Sequence, residues 1–413
     1  MWQIDGRVQK ALDILDNQGF EAWLVGGCIR DWLLGREPKD LDIATAARPE
    51  QVVQAFKDYR VIATGIKHGT VTVVLEQLLI EITTFRIDGD YSDNRHPQNV
   101  IYTQKLIEDL KRRDFTMNAL AYHPKRGLID VFGGQQDIKD KIIRAVGQPC
   151  VRFSEDALRI LRGIRFAAVL GFAVEPTTSA AMFAECVRLQ NISAERILAE
   201  LQQMLCGKAV RPVLTRYIGI WEVVIPELLR MEGFDQHNPH HDFDILEHTL
   251  RVMENIEPRV HLRLAALLHD IGKPDTFSLD EAGVGHFYGH VQAGVELACT
   301  ILKRLRLDNI TRERILLLIK YHDTQILPEK KSVKRLMGKI GPEAFFELLQ
   351  LKSADMRAQK GDEQDPRLAL LTTLQTIAGD IISAGEAFSL KDLALNGQDL
   401  LALGVARGPQ IGL

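Results

Sequence analysis

Ala22-Trp23-Leu24-Val25-Gly26-Gly27-Cys28-Ile29-Arg30-Asp31, followed shortly by Asp40-Leu41-Asp42-Ile43-Ala44, decides how the first part of the chain folds. Four apolar residues read as a short strand. The two glycines turn the chain, and Trp32-Leu33-Leu34 begins an amphipathic stretch. A turn of this kind lets backbone N–H groups approach a phosphate without side-chain obstruction, and Arg30 adds a fork of donors. The second strand opens on two carboxylates, Asp40 and Asp42, which a period of two places on one face. Side by side they repel unless a cation lies between them, and a pair of Mg²⁺ ions satisfies that requirement. Each piece alone also reads as a plain tight turn or a polar strand edge.

Outward from this stretch, Arg7–Gly19 carries Val8, Ala11, Leu12 and Leu15 at helical spacing, and Val71–Leu75 and Leu78–Phe85 read as strands. Glu81 stands in the second of these, where a charge needs a partner; it is a candidate third carboxylate or an ordinary edge charge. Beyond about residue 145 the pattern turns helical, with helices expected over Asp156–Leu170, Ala194–Leu205, Ile245–Ile256, Leu262–His269 and Ile310–Tyr321. The fold class is therefore α+β: a mixed α/β head over 1–145, then all-α sequence. Composition shifts at Val146–Pro149 and His237–His241 divide the remainder into 146–236, 237–360 and a helical tail, 361–413. The turn-like Gly408–Leu413 leaves open whether that tail is truncated.

The 413 residues carry 46% hydrophobic and 26% charged side chains, as a globular protein does, with no apolar run of membrane-spanning length. The start has no signal-peptide pattern, so a cytoplasmic home is expected. Five cysteines without a CxxC pair point to buried thiols and not to a disulfide framework. A net charge of −4 argues against indiscriminate polyanion binding. Any nucleic-acid surface must be local; residues 101–170, with thirteen Lys/Arg against eight Asp/Glu, are the candidate, or else a solvated helical face.

Two further segments carry chemistry. Lys111-Arg112-Arg113-Asp114-Phe115-Thr116-Met117-Asn118 joins cations suited to triphosphate oxygens with groups that hold ribose hydroxyls. In Ser154–Arg165, the residues Asp156, Arg159, Arg162 and Arg165 are expected to follow the i, i+3 row of one helix. A carboxylate beside a guanidinium can read a base by its pairing edge. Cytosine and adenine both offer an amino donor next to a ring-nitrogen acceptor, matching Asp156 and Arg159, whereas uracil and guanine present the reverse. An ordinary surface ion pair is the alternative.

A separate constellation lies downstream. His248, His269, Asp270, His290, His322 and Asp355 recur at separations suited to helices that converge on one site, and imidazole with carboxylate suits a divalent transition metal.

Gly26-Gly27-x-x-Arg30-Asp31, Asp40-x-Asp42, Arg112-Arg113-Asp114 with Phe115–Leu120, Glu155-Asp156-x-x-Arg159 and Ile192-Ser193-x-Glu195-Arg196 together resemble the ordered motifs of class II tRNA nucleotidyltransferases of the polymerase-beta superfamily, over about the first 230 residues. The resemblance implies addition of CMP, CMP and AMP to the 3′ end of tRNA from CTP and ATP. It implies Asp40 and Asp42 as catalytic ligands of Mg²⁺, and Gly27, Arg30, Arg113, Asp156, Arg159, Arg162 and Arg165 as nucleotide-binding residues. Leu268-His269-Asp270-Ile271-Gly272-Lys273 resembles the HD phosphohydrolases, which implies that His248, His269, Asp270 and Asp355 hold one metal and that His290 and His322 complete a second. Hydrolysis of cyclic phosphates or 2′-phosphates at damaged RNA ends would follow. No membrane and no protein partner are implied. Gly65–Val71 resembles the CCA-adding pattern, and Asp88–Arg95 resembles a flexible loop that enzymes adding only CC lack; His96 replaces a more usual arginine there. An A-adding enzyme, a bacterial poly(A) polymerase, an HD phosphohydrolase with a vestigial head and a non-catalytic RNA-binding protein are the rivals.

Overall fold

In the computed structural model the apolar quartet Ala22–Val25 forms strand β1 with all four residues buried, since a strand covered on both faces need not alternate. The structure describes residues 2, 4–38, 40–66, 69–88, 100–237, 243–359, 365–386, 401, 402 and 404. Helix α1 (Gly6–Asn17) precedes β1, capped by the Asp5 carboxylate and burying Val8, Ala11, Leu12 and Leu15. After it come α2 (Gly27–Leu33), β2 (Asp42–Thr45), α3 (Pro49–Ala55), β3 (Arg60–Ile62), β4 (Thr70–Leu75), β5 (Leu78–Thr84), the β6/β7 ribbon (Arg86–Asp88 with Val100–Tyr102), α4 (Leu106–Lys111), β8 (Leu120–His123), β9 (Gly127–Asp130) and α5 (Gly134–Lys139).

Seven strands make one sheet in the order β3-β4-β5-β2-β1-β8-β9. Only β2 and β5 run parallel within it, with Asp42 opposite Glu81; β1 meets β2 antiparallel, with Val25 opposite Asp42. Directly opposed residues share a face. One face is closed by a core of Trp23, Val25, Ala44, Phe85, Leu106, Leu110 and Ala121. Asp42 therefore ends an apolar face with Glu81 beside it. Strands β3, β8 and β9 were not expected from the sequence: β8 is buried throughout, so it shows no alternation, and β3 is only three residues long.

Helices α6 (Pro149–Glu155), α7 (Leu158–Leu170), α8 (Pro176–Glu185), α9 (Ala194–Leu205) and α10 (Val210–Trp221) follow. They belong with the sheet to one compact unit, Met1–Val224. The expected continuous helix from Asp156 does not form. Asp156 ends α6 in an extended conformation, φ −141° and ψ 102°, and its side chain accepts from the Leu158 N–H at 3.1 Å, so it starts α7 from outside.

The second unit, Ile225–Leu413, contains α11 (Ile245–Asn255), α12 (Val260–Leu268), α13 (Lys273–Thr276), α14 (His290–Arg304), α15 (Asn309–Tyr321), α16 (Lys330–Ile340), α17 (Pro342–Ala358) and α18 (Pro366–Ser383). It is not wholly α-helical, because a small hairpin pairs Ser278–Leu279 with Gly285–His286. The cysteines also depart from expectation. Cys28 alone is buried and Cys150 is exposed; half of the first turn of a surface helix faces water whatever its residue type. Among the described residues no helix is long and apolar enough to cross a membrane.

Candidate active sites

The Gly26-Gly27 turn delivers Arg30 and leaves room for Arg113. Gly26 has φ +81°, a conformation that favours glycine, and a Cβ there would stand 2.8 Å from Arg113 Nη1 and displace that guanidinium. Gly27 opens α2 with the Arg30 guanidinium against it. Arg30 donates to Asn118 Oδ1 at 2.8 Å and to Asp31 at 2.8 Å. Buried Asp109 accepts from Arg112 at 2.8 Å and from Arg113 at 3.4 Å.

Asp114 joins the sheet to the helices behind it. It accepts from Asn118 Nδ2 at 3.1 Å, from the Phe115 N–H at 2.8 Å and from Arg162 Nε at 2.8 Å. Burial opposes its ionisation, yet the Arg162 charge and these hydrogen bonds hold its carboxyl down at about 2. Arg165 continues the chain of contacts, donating to Glu200 Oε2 at 2.5 Å and lying 4.0 Å from the centre of the Phe166 ring. Asp109 and Glu200 were not among the residues singled out from sequence. The visible signal for Asp109 was its place three and four residues before Arg112 and Arg113; Glu200 offered none.

These side chains surround an open cleft of about 490 Å³. It is lined by seven arginines, Arg30, Arg112, Arg113, Arg159, Arg162, Arg165 and Arg196, against three carboxylates, Asp42, Asp114 and Asp156. The excess of guanidinium suits a polyphosphate. At one end, burial and then Glu81 push the Asp42 carboxyl up to about 6, with Asp40 adding and Arg113 opposing. A carboxylate whose ionisation two neighbouring carboxylates oppose fits a divalent cation beside it. Asp40 is exposed and precedes the strand, so it does not share the regular face of Asp42.

Asp156 and Arg159 both line the cleft but are not paired with each other, as the helix break dictates. Asp156 Oδ2 accepts from Arg196 Nη2 at 2.8 Å. Arg159 donates to Glu155 Oε2 at 2.6 Å and to the Arg112 carbonyl at 2.9 Å. Arg159, Arg162 and Arg165 do keep the i, i+3 row on α7. The loop 89–99, together with Lys67 and His68, lies outside the described residues.

In the second unit the structure brings all six expected metal-binding side chains together. His248 lies on α11, His269 and Asp270 just past α12, His290 at the start of α14, His322 at the end of α15 and Asp355 on α17. Two triads, His248/His269/Asp270 and Asp270/His290/His322, have their ligand atoms within 4.8 Å of one another; among the described residues they are the only such triads. His248 Nε2 is 2.9 Å from Asp355 Oδ1, and His269 Nε2 is 3.3 Å from Asp270 Oδ2. The Nδ1 atoms of His269, His290 and His322 meet the carbonyls of Ala266, Phe287 and Ile319 at 2.8, 2.9 and 2.7 Å. That contact fixes the proton on Nδ1 and turns Nε2 toward Asp270, the arrangement a metal-bound imidazole needs. Lys273 Nζ is 2.7 Å from Asp270 Oδ2. Burial disfavours the Asp270 carboxylate, but His269 and Lys273 hold it well below the usual carboxylate range. Gly272 is obligatory here, since a Cβ would meet Gly294 N and His290 O at 2.4 Å.

Comparison with known proteins follows this division. Residues 22–144 match the model of the poly A polymerase head domain, residues 171–231 that of the probable RNA and SrmB-binding site of polymerase A, and residues 245–372 that of the HD domain. The CCA-adding enzyme of Geobacillus thermodenitrificans is 48% identical over 202 residues, 48% of this chain and 50% of that protein. That of Enterococcus faecalis is 49% identical over 193 residues, 47% of each. The chain is thus similar to the CCA-adding enzymes in sequence over about half of its length and in fold over nearly all of it. Its matches span about half the length of these curated relatives. The Bacillus stearothermophilus CCA-adding enzyme, crystallised with CTP, superposes with a TM-score of 0.72 at 28% identity, covering 98% of this chain and 89% of that one. The Thermotoga maritima CCA-adding enzyme, complexed with tRNA, shares the fold at a TM-score of 0.60 and 20% identity, covering 99% and 89%.

Proposed function

We propose that the chain adds CMP, CMP and AMP to the 3′ end of tRNA, using CTP and ATP. The observation that carries this reading is the arginine-lined cleft with Asp42 at one end and with Asp156 and Arg159, which are not bonded to each other, in its wall. In the reaction the 3′ oxygen of the tRNA bonds to the α-phosphorus and pyrophosphate leaves. Arg30, Arg113, Arg162 and Arg165 neutralise the triphosphate and orient it. Asp40 and Asp42, with Glu81 adjacent, would hold Mg²⁺, which when bound helps ionise the hydroxyl and screens the leaving group. Gly27 lets the backbone reach the phosphates. Arg159 donates to the ring acceptor shared by cytosine and adenine, and the second lone pairs of Asp156 accept from their amino group. The relatives' names favour full CCA addition over A-only addition or polyadenylation, and a cytoplasmic site of action accords with tRNA repair.

A second activity rests on a separate observation, the convergence of six metal-binding side chains in the second unit. There the chain hydrolyses phosphoesters, such as 2′-phosphates or cyclic phosphates at damaged RNA ends. His248, His269, Asp270 and Asp355 would hold one metal and His290 and His322 a second; a transition metal fits this nitrogen-rich set better than Mg²⁺.

Incubating the protein with tRNA that lacks its last three nucleotides, and with each labelled nucleoside triphosphate, tests the first reading. Incorporation of C and then A, with U and G excluded, is expected. Incorporation of A alone, and only onto tRNA already ending in CC, would assign an A-adding enzyme; an untemplated A tract would assign a poly(A) polymerase.

A further inference from the structure

Beside the metal-binding cluster stands a feature that metal binding does not require. Tyr288 is 78% exposed, yet its ring is not loose. It lies nearly parallel to His286, with ring centres 5.2 Å apart and 11° between planes. The Tyr288 hydroxyl is 3.5 Å from His286 Nδ1. His286 Nε2 in turn lies 2.9 Å from Asp280 Oδ2 across the small hairpin.

The segment that carries this pair is anchored to the metal-binding residues. Phe287, between the two rings, packs on Phe277 at 5.5 Å and receives the Lys273 ammonium at 5.3 Å from its ring centre. Gly289 turns the chain with φ +84°, and His290 Nδ1 holds the Phe287 carbonyl. The aromatic pair and a metal-binding imidazole are therefore parts of one five-residue run. Tyr288, His286, Asp270, His290 and His322 line one cavity of about 440 Å³. That volume is within the roughly 300–1,000 Å³ of small-molecule sites and exceeds the need of a phosphate group alone.

We propose that Tyr288, backed by His286, is a base-stacking platform, by which this site binds an ester that carries a base more tightly than one without a ring. The inference rests on the reading of the second unit as a phosphohydrolase and adds the residue that receives the base. An aromatic face held open to water at the rim of a phosphate-sized polar cluster supplies what a nucleobase offers every time, a π-face, and it does so without selecting among bases. His286 fills one side of the ring and fixes its tilt.

The test uses the full chain. Binding of 2′-AMP is measured by calorimetry on protein treated with EDTA. Hydrolysis of 2′-AMP and of β-glycerophosphate, which has no ring, is measured with Mg²⁺, Mn²⁺, Co²⁺ or Ni²⁺ restored. In Tyr288→Ala the affinity for 2′-AMP should fall by about 5- to 150-fold, the range that loss of one stacked base corresponds to. KM should rise in step, kcat should change little, and β-glycerophosphate turnover should remain as in the wild type. Tyr288→Phe should retain the wild-type affinity, because it keeps the face. Unchanged 2′-AMP affinity in Tyr288→Ala, or an equal loss on both esters, would overturn the platform while leaving the hydrolase reading in place. Absence of hydrolysis of either ester with every metal would overturn the hydrolase reading, and the calorimetry would still decide the platform.

Discussion

The two candidate sites of this chain are supported in opposite ways. In the cleft of the first unit, several functional side chains are held by others from far along the sequence: Arg30 by Asn118, 88 residues away, Arg162 by Asp114, 48 away, and Asp156 by Arg196, 40 away. In the second unit, His269, His290 and His322 are each oriented by the carbonyl three residues earlier in the same segment. The first design makes a polar network whose members stabilise one another across the fold. The second makes a set of independently aimed imidazoles that meet only at their tips. Substitutions should therefore spread in the first site and stay local in the second.

The largest effect should come from Asp42→Ala. It removes the carboxylate between Val25 and Glu81 in the sheet, and nucleotide incorporation should drop by roughly 10²–10³-fold or more for CTP and ATP alike. Gel-shift binding of tRNA and hydrolysis at the second site should persist; transfer at near wild-type rate would remove Asp42 from the catalytic assignment. Next, His269→Ala should abolish phosphoester hydrolysis and lower the bound-metal content measured by elemental analysis. CCA addition should stay within about twofold, since substitutions at distant, independent sites leave each other's energetics nearly unchanged. A large loss of transfer in that folded variant would break the contrast between the sites.

A subtler change is expected for Asp156→Ala, where the ratio of kcat/KM for CTP over UTP should fall on the order of 10²-fold. A ratio held at the wild-type value would place base selection elsewhere. The smallest effect is one of stability. Asp114 has its folded pKa depressed to about 2. Its contribution is therefore complete above the unfolded carboxylate range near 4 and is lost as pH falls toward 2. Asp114→Asn should cost about 2 kcal/mol at pH 7, and the gap between the two urea-unfolding curves should close between pH 4 and pH 2. A gap that is constant with pH would mean that shape, and not charge, is what Asp114 supplies.

Much of this was legible in the residues. Strand β1 and helix α9 occur with the limits their apolar patterns indicate, and the six candidate metal ligands were visible because helical spacing returned the same residue types. What escaped has physical reasons. A buried strand such as β8 has no alternation to betray it. The break at Asp156 escaped because Asp156-Ala157-Leu158 has no proline or glycine; it arises when the carboxylate takes the Leu158 N–H in place of the backbone carbonyl. The loss of the Asp156–Arg159 couple followed from that one hydrogen bond. Glu200 was illegible as a site residue because its partner lies 35 residues away.

Asp114 also bears on where the chain can be cut. Composition places a seam near residue 145, but Phe115 beside it packs edge-on against Phe166 with ring centres 6.0 Å apart, and a side chain at Gly163 would collide with Phe115 at 2.9 Å. A fragment ending at 145 would leave a carboxylate and an aromatic ring, both now buried, facing solvent. The seven-stranded sheet and the helices after it are therefore one unit of inheritance. Recombination that exchanged heads between relatives would have to carry Arg162 and Gly163 along with Asp114 and Phe115, and so would move helix α7 together with the strand that begins at Asp42.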